Sequence, residues 1–456
     1  MEHPRDPSSP IAVGPDLLGF AKDLIAELSA GFASDGTFWE VGNFMAGWDP
    51  HFGFRDWLRV FRTVPSLRKY LVPALAWNCL IGRRKMDGFS ERYAPGRKYN
   101  FRYRSFCTDL LVWESIGQAL KHFDPDAPAR KEMPPLLEGY LGLAFRNCYR
   151  VPFEGRDLAM FSYYPRHDHL ISPDQAVHKL FFSKDDNVPD IDTTALILGS
   201  MLSLGNLFGL AGGAYGHVAE DSASLVGLME QHVRGKGRYG RESLSYDNGI
   251  LPGDEGVMTW VFDGHNELDP TSNINILNWL VQIRSVHPEL PLERIAALTN
   301  GIFRFLDNHV RDGSFLDQRF QSYYPLGPTY LFWRRLWGSL MALPESERVV
   351  LDADGAAGRV DAFLAAKGEE IFRHGKAPTN PYDRITAAPF LYEHGILREE
   401  AAGWLNPERG LLGHFHENHY EIFHLRYPSK IFCAPVRIPF GCALDLAVLV
   451  DKFPPR

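Results

Sequence analysis

Apolar positions recur at three- and four-residue spacing along most of the chain, the period of a helix with one buried face. The runs Pro15–Leu28, Phe106–Leu120, Met133–Phe145, Asn273–Ile283 and Leu292–Val310 are the clearest, and each predicts an α-helix. Alternating β-branched stretches closed by hairpin turns are scarce, and segments such as Val436–Pro439 are too short to build a sheet. Polar breaks near Asp124–Lys131, Arg234–Glu255, Pro344–Ala357 and His374–Tyr382 are too short for disordered linkers. The pattern predicts an all-α chain, with a flexible N-terminus over residues 1–14 and one large helical domain over residues 15–456.

Weak repetition favours a closed array of helices. Ser-Tyr-Tyr-Pro occurs at 162–165 and again at 322–325, each time after an Arg-Asp pair, and a third Tyr-Pro follows at Tyr427-Pro428. Asp-Gly-Thr-Phe at 35–38 and Asp-Gly-Ser-Phe at 312–315 form a second recurring signal. Each unit reads as a Gly turn, an aromatic, a Tyr-Pro corner and then an apolar helix such as Thr329–Leu340.

Composition narrows the function. The 456 residues carry 48 Lys+Arg against 56 Asp+Glu, a net charge of -8, which disfavours nucleic acid as a partner because phosphate binding needs clustered cations. Five cysteines without a CxxC spacing read as reduced, buried thiols, and no apolar leader follows Met1, so a cytoplasmic protein is expected. From Thr193 to Gly216 there is no formal charge. Six glycines and the polar Ser200, Ser203 and Asn206 make one or two buried helices the better reading than a membrane span, with surface contact to a bilayer left open.

The sharpest chemical feature stands at the head of that run: Asp190-Ile191-Asp192-Thr193-Thr194-Ala195, preceded by Pro189 in what reads as a first helical turn. Aspartates favour helix starts through capping, which accounts for one of the two better than for both. Two carboxylates in a dry site cannot both ionise cheaply, so one keeps its proton. A poorly solvated carboxylic acid is the reagent needed to protonate an unactivated alkene.

These residues resemble the D-x-D-D-T-A signature of class II terpene cyclases, the squalene–hopene and diterpene cyclase group. Asp-Gly-Ser-Phe and Tyr-Tyr-Pro are similar to that group's Q-x-x-D-G-S-W repeats, and Asp-Ile-Asp-Thr-Thr to the D-x-D-T-T of some bacterial drimane-forming cyclases. The chain departs from the pattern: Thr193 replaces the third Asp, Phe replaces Trp, the leading Gln is absent, and residues 1–150 match nothing in it. The resemblance implies an α/α barrel (toroid) of helical hairpins acting on a linear isoprenoid, with farnesyl diphosphate to a drimane-type product as the most concrete case. It makes Asp192 the proton donor and Asp190 its anionic neighbour, with Thr193 completing the catalytic set. No cofactor is required for initiation, and Mg²⁺ enters only if the substrate is a diphosphate.

Further residues are assigned around that core. Trp260, Tyr323 and Tyr324 are aromatics able to face a cation. The run Asp269-Pro270-Thr271-Ser272-Asn273-Ile274-Asn275 opens a helix in which Asn273 and Asn275 suggest an inward polar face or ordinary capping, with Asp269 and Asn273 as candidate substrate contacts. In Arg234–Arg241, a lone GxGxxG follows a helix and no strand, so a dinucleotide fold is disfavoured, while Arg238 and Arg241 could grip a diphosphate. Asp185-Asp186-Asn187-Val188-Pro189-Asp190 superficially suggests a Mg²⁺ motif, but Pro189 breaks the helical face it needs.

Three competing functions fit parts of the same sequence. His414, His416, His419 and His424 carry zinc-like spacings and would suit a metal-dependent hydrolase. A carbohydrate-active α/α-barrel hydrolase or lyase would use Asp and His chemistry in an open cleft. In a non-catalytic binding scaffold, Asp190 and Asp192 would simply cap a helix. Neither a GxSxG elbow nor a P-loop occurs.

Overall fold

In the computed structural model the described residues are 40–44, 101–103, 113, 128–162, 170–171, 189–208, 214–237, 250–261, 268–316, 326–374, 381–404 and 432–433. They are mostly helical. Helix α1 spans Pro128–Arg146, α2 Ile191–Phe208, α3 Ala214–Gln231, α4 Pro270–Val286 and α5 Leu292–Asp312. Then come α6 (Leu326–Met341), the short α7 (Glu345–Leu351), α8 (Ala356–His374), α9 (Pro381–Glu393) and α10 (Arg398–Trp404). Three of the predicted helices are present as α1, α4 and α5. Pro15–Leu28 lies outside the described residues, as does Phe106–Leu120 apart from the buried, helical Trp113.

Strands are more frequent than the sequence pattern predicts. β1 (Glu40–Phe44), β2 (Phe101–Tyr103), β5 (Leu170–Ile171) and β6 (Phe432–Cys433) form an antiparallel sheet in the order β5-β2-β1-β6. β3 (Tyr149–Phe153) and β4 (Arg156–Met160) form a hairpin that registers Tyr149 on Met160 and Phe153 on Arg156. Its two turn residues, Glu154 and Gly155, both have positive φ (49° and 77°), the twist a two-residue hairpin requires.

The long helices sort into two layers. α2, α4, α6 and α9 lie side by side, each packed on the next. Polar contacts fix their direction. Asp192 meets Ser272 and Asn275 near the starts of α2 and α4, and one to two turns on, a Cβ at Gly199 would lie 2.7 Å from Gln282 Oε1. Thr271 and Thr329 share a hydroxyl bond of 2.9 Å, and Ser339 Oγ donates to Asn278 Oδ1 at the same distance further along. The Gly327 N–H donates to Asp383 Oδ1 and Arg334 pairs with Glu393. All four helices therefore run the same way and begin at one end. α3 packs on α2, α5 on α4, and α8 on α5 and α9, making the second layer. An Arg359–Asp307 fork (2.9 Å for each bond) joins α8 to α5.

Sandwiching explains the uncharged run. Every residue of α2 from Ile191 to Leu202 is buried, and so is every residue of α4 from Pro270 to Val281. A helix sealed on all sides has no solvent face on which to place charge. The run Thr193–Gly216 is shared between α2 and α3, and no helix among the described residues is long and apolar enough to cross a membrane.

The end of α3 carries a buried titratable group. His232 is fully buried, and its Nδ1 lies 2.8 Å from the Leu228 carbonyl, which can only accept, so that nitrogen holds the proton of a neutral ring. Burial disfavours the imidazolium and lowers the pKa to about 4 from an ordinary 6.5. The folded state therefore resists protonation that the unfolded chain accepts. Stability from this group is complete above pH 6.5 and is lost as pH falls through about 4. The loss expected is on the order of 3 kcal/mol, and urea titrations across that window should show it in the parent and not in His232→Gln.

Candidate active site

The site is built where α2 begins. Asp190 is the residue before the helix: its Oδ1 accepts the Thr193 N–H at 2.5 Å, the geometry of an N-cap. Pro189 thus precedes the cap and does not occupy the first helical turn. The Asp190 N–H donates to the Phe161 carbonyl just past β4, while the Thr194 hydroxyl donates to the Asp190 carbonyl and accepts the Phe161 N–H. From the other side, the Ile191 N–H donates to Thr259 O and the Val261 N–H to Pro189 O, with Trp260 bridged to Asp190. The helix start is held between β4 and the segment 254–261.

Asp192 lies in the first turn and faces α4. Asn275 Nδ2 donates to its Oδ1 at 2.9 Å, and Ser272 Oγ donates to Oδ2 at 3.1 Å. Asp190 and Asp192 are 4 % and 5 % exposed. Burial, and after it the charge of Asp192, push the Asp190 carboxyl well above the usual carboxylate range, against the opposing hydrogen bonds from the Thr193 backbone and side chain. Two carboxyls this close and this dry share a single proton in preference to ionising together. What the pair offers is one proton held dry, with a second carboxylate beside it to receive the charge that develops when the proton leaves.

Other expected contacts are structural in this arrangement. Asp269 is the N-cap of α4 and accepts the Ser272 N–H at 2.8 Å. The Asn273 carboxamide accepts the Val257 N–H and donates to the Val257 and Asp269 carbonyls, so both its ends are engaged by backbone. Of the two Asn expected to face inward, Asn275 turns to Asp192 together with Ser272, while Asn273 is engaged by backbone. Trp260 is half-buried against Asp190. Tyr323, Tyr324, Arg238, Arg241, Asp185, Asp186 and the His414–His424 cluster lie outside the described residues. Among the described residues, no group of His, Cys, Asp and Glu is placed to hold a metal ion.

A second buried pair leaves little trace in the sequence. His309 Nε2 lies 2.8 Å from Asp254 Oδ2, both side chains fully enclosed, and Asn308 Nδ2 donates to Asp254 Oδ1 at 3.0 Å. Its one signal is a single His inside an otherwise ordinary amphipathic helix. No family model, no curated protein and no solved structure matches this chain.

Proposed function

We propose that the chain is a class II-type terpene cyclase that starts ring closure of a linear isoprenoid by protonating an alkene, with farnesyl diphosphate to a drimane-type product as the leading case. The observation that carries this reading is the buried pair Asp190–Asp192, one proton between two carboxyls at the head of a helix with no wet face. Hydrolysis of a glycan would ask for acids in an open, hydrated cleft, which suits this pair poorly. Parallel inner helices backed by a second layer support an α/α barrel, whose closure belongs to this proposal. Cys148, a buried free thiol, suits a reducing cytoplasm.

In mechanism, the acid delivers its proton to the terminal alkene carbon, the pair becomes doubly ionised, and that charge is opposed to the carbocation it has created. Asn275 and Ser272 keep Asp192 in one rotamer while the charge changes. Loss of a proton from the cyclised cation to a base or water gives the neutral product, and one proton taken up from solvent returns the pair to its singly ionised state. The test is incubation of the full chain with linear C10 to C30 isoprenoids in D₂O, with and without Mg²⁺, followed by mass spectrometry. A cyclic product carrying one solvent-derived deuteron is expected. An acyclic product mixture, or no turnover of any member of the series, overturns the reading.

A further inference from the structure

The segment 254–261 joins two places that chemistry would otherwise leave unconnected. At its start, Asp254 is fixed by His309 and Asn308 of α5, and its Oδ2 also accepts the Leu251 N–H at 2.8 Å. His309 is set in turn from its other nitrogen, which lies 2.7 Å from Ser314 Oγ, beyond the left-handed Gly313 that ends α5. Gly256 follows: a Cβ there would lie 2.8 Å from both Leu268 Cδ1 and Phe305 Cδ1, so the strap passes closely against α5. Val257 is gripped by Asn273 of α4, two residues before Asn275. The Met258 N–H donates to His232 O. Thr259, Trp260 and Val261 then hold the backbone of Pro189, Asp190 and Ile191.

One strap thus clamps the start of α2, where both acids lie, and the first two turns of α4, which carry both donors to Asp192. We propose that His309 is a positioning residue for the acid pair, acting through Asp254 and the strap 254–261. The charged groups around this lock are accounted for. Arg234 donates to the Asp254 and Leu251 carbonyls, and Glu255 pairs with Lys236 and Arg304. Among the described residues, the Asp254 carboxylate meets the imidazole, Asn308 and the Leu251 N–H. The inference rests on the reading of Asp190–Asp192 as the working acid, but its test needs no substrate.

In full-length protein labelled with ¹³C at aspartate side chains, the Asp190 carboxyl signal is assigned by its absence from Asp190→Asn and followed through pH. His309→Gln and Asp254→Asn loosen the strap and admit water beside Asp190, so its titration midpoint is expected to fall toward the ordinary range by at least about one pH unit. Leu364→Ala, a core truncation in α8 away from the strap, should lower stability without moving the midpoint. A midpoint that stays put in both strap variants, or that moves equally in Leu364→Ala, overturns the proposal. Should His309→Gln fail to fold, Asn308→Ala, which removes only one donor from Asp254, carries the same test with the same two outcomes. Loss of turnover with an unmoved midpoint would speak to the cyclase reading and against the strap.

Discussion

Asp192→Asn is expected to lower cyclisation by at least about 10³-fold while leaving the melting temperature unchanged or higher. A positioned general acid contributes about 10²–10⁴-fold, and a dry site offers no water to stand in for it. Asn at 192 keeps the shape of the contact: its carbonyl oxygen can accept from Asn275, and its NH₂ can donate to Ser272 Oγ. What disappears is a buried charge beside Asp190, a charge that costs stability in the folded state. Asp190→Asn is expected to impair turnover as well, but less, because it alters the neighbour that tunes the acid and leaves the Asp192 carboxyl in place. Product formation per unit time and thermal melts of the two variants are the measurements. An Asp192→Asn protein that turns over normally and melts early would show the carboxylate to be a structural group, and the cyclase reading would fall.

Asp254→Ala is expected to destabilise the fold by about 3–5 kcal/mol, the cost of leaving several buried polar groups without their shared acceptor. The deletion strands the enclosed His309 Nε2 and removes the acceptor for Asn308 and for the Leu251 N–H at once. Buried polar groups left without partners lose hydrogen bonds to water that nothing in the protein replaces. Asp254→Asn keeps an acceptor oxygen and a similar volume, so it should lose less than half as much. Urea denaturation of the three proteins at one pH checks the order.

Much of the helical pattern is legible in residue spacing, and its failures have local causes. Leu292–Val310 appears as α5 almost residue for residue, because its apolar face recurs without interruption and Gly313 stops it. Spacing starts α1 at Met133 although the helix opens at Pro128, since Pro134 and Pro135 inside it mask the first turn. β3 hides behind Pro152, a residue that argues against a strand, although the Glu154-Gly155 turn is a visible signal. β1, β2, β5 and β6 are two to five residues long and pair across the chain, so no local pattern marks them.

The acid pair is legible because both members lie in one short motif. Its partners are not. Asn273 and Asn275 are two residues apart, roughly 200° around a helix, and so point to nearly opposite faces. Only the phase of α4, set by its cap at Asp269, decides that Asn275 turns to Asp192 while Asn273 turns to the strap.

The sealing of α2 and α4 also governs how the acid is renewed. Amides in a helix enclosed on every side exchange with solvent through openings that involve much of the fold, which are rare events. Small fluctuations at the periphery do not reach Asp190 or Asp192. Under the proposed reading, a proton given to a substrate would not be replaced by breathing of the helices that hold the pair, and its return would be a step separate from their motions.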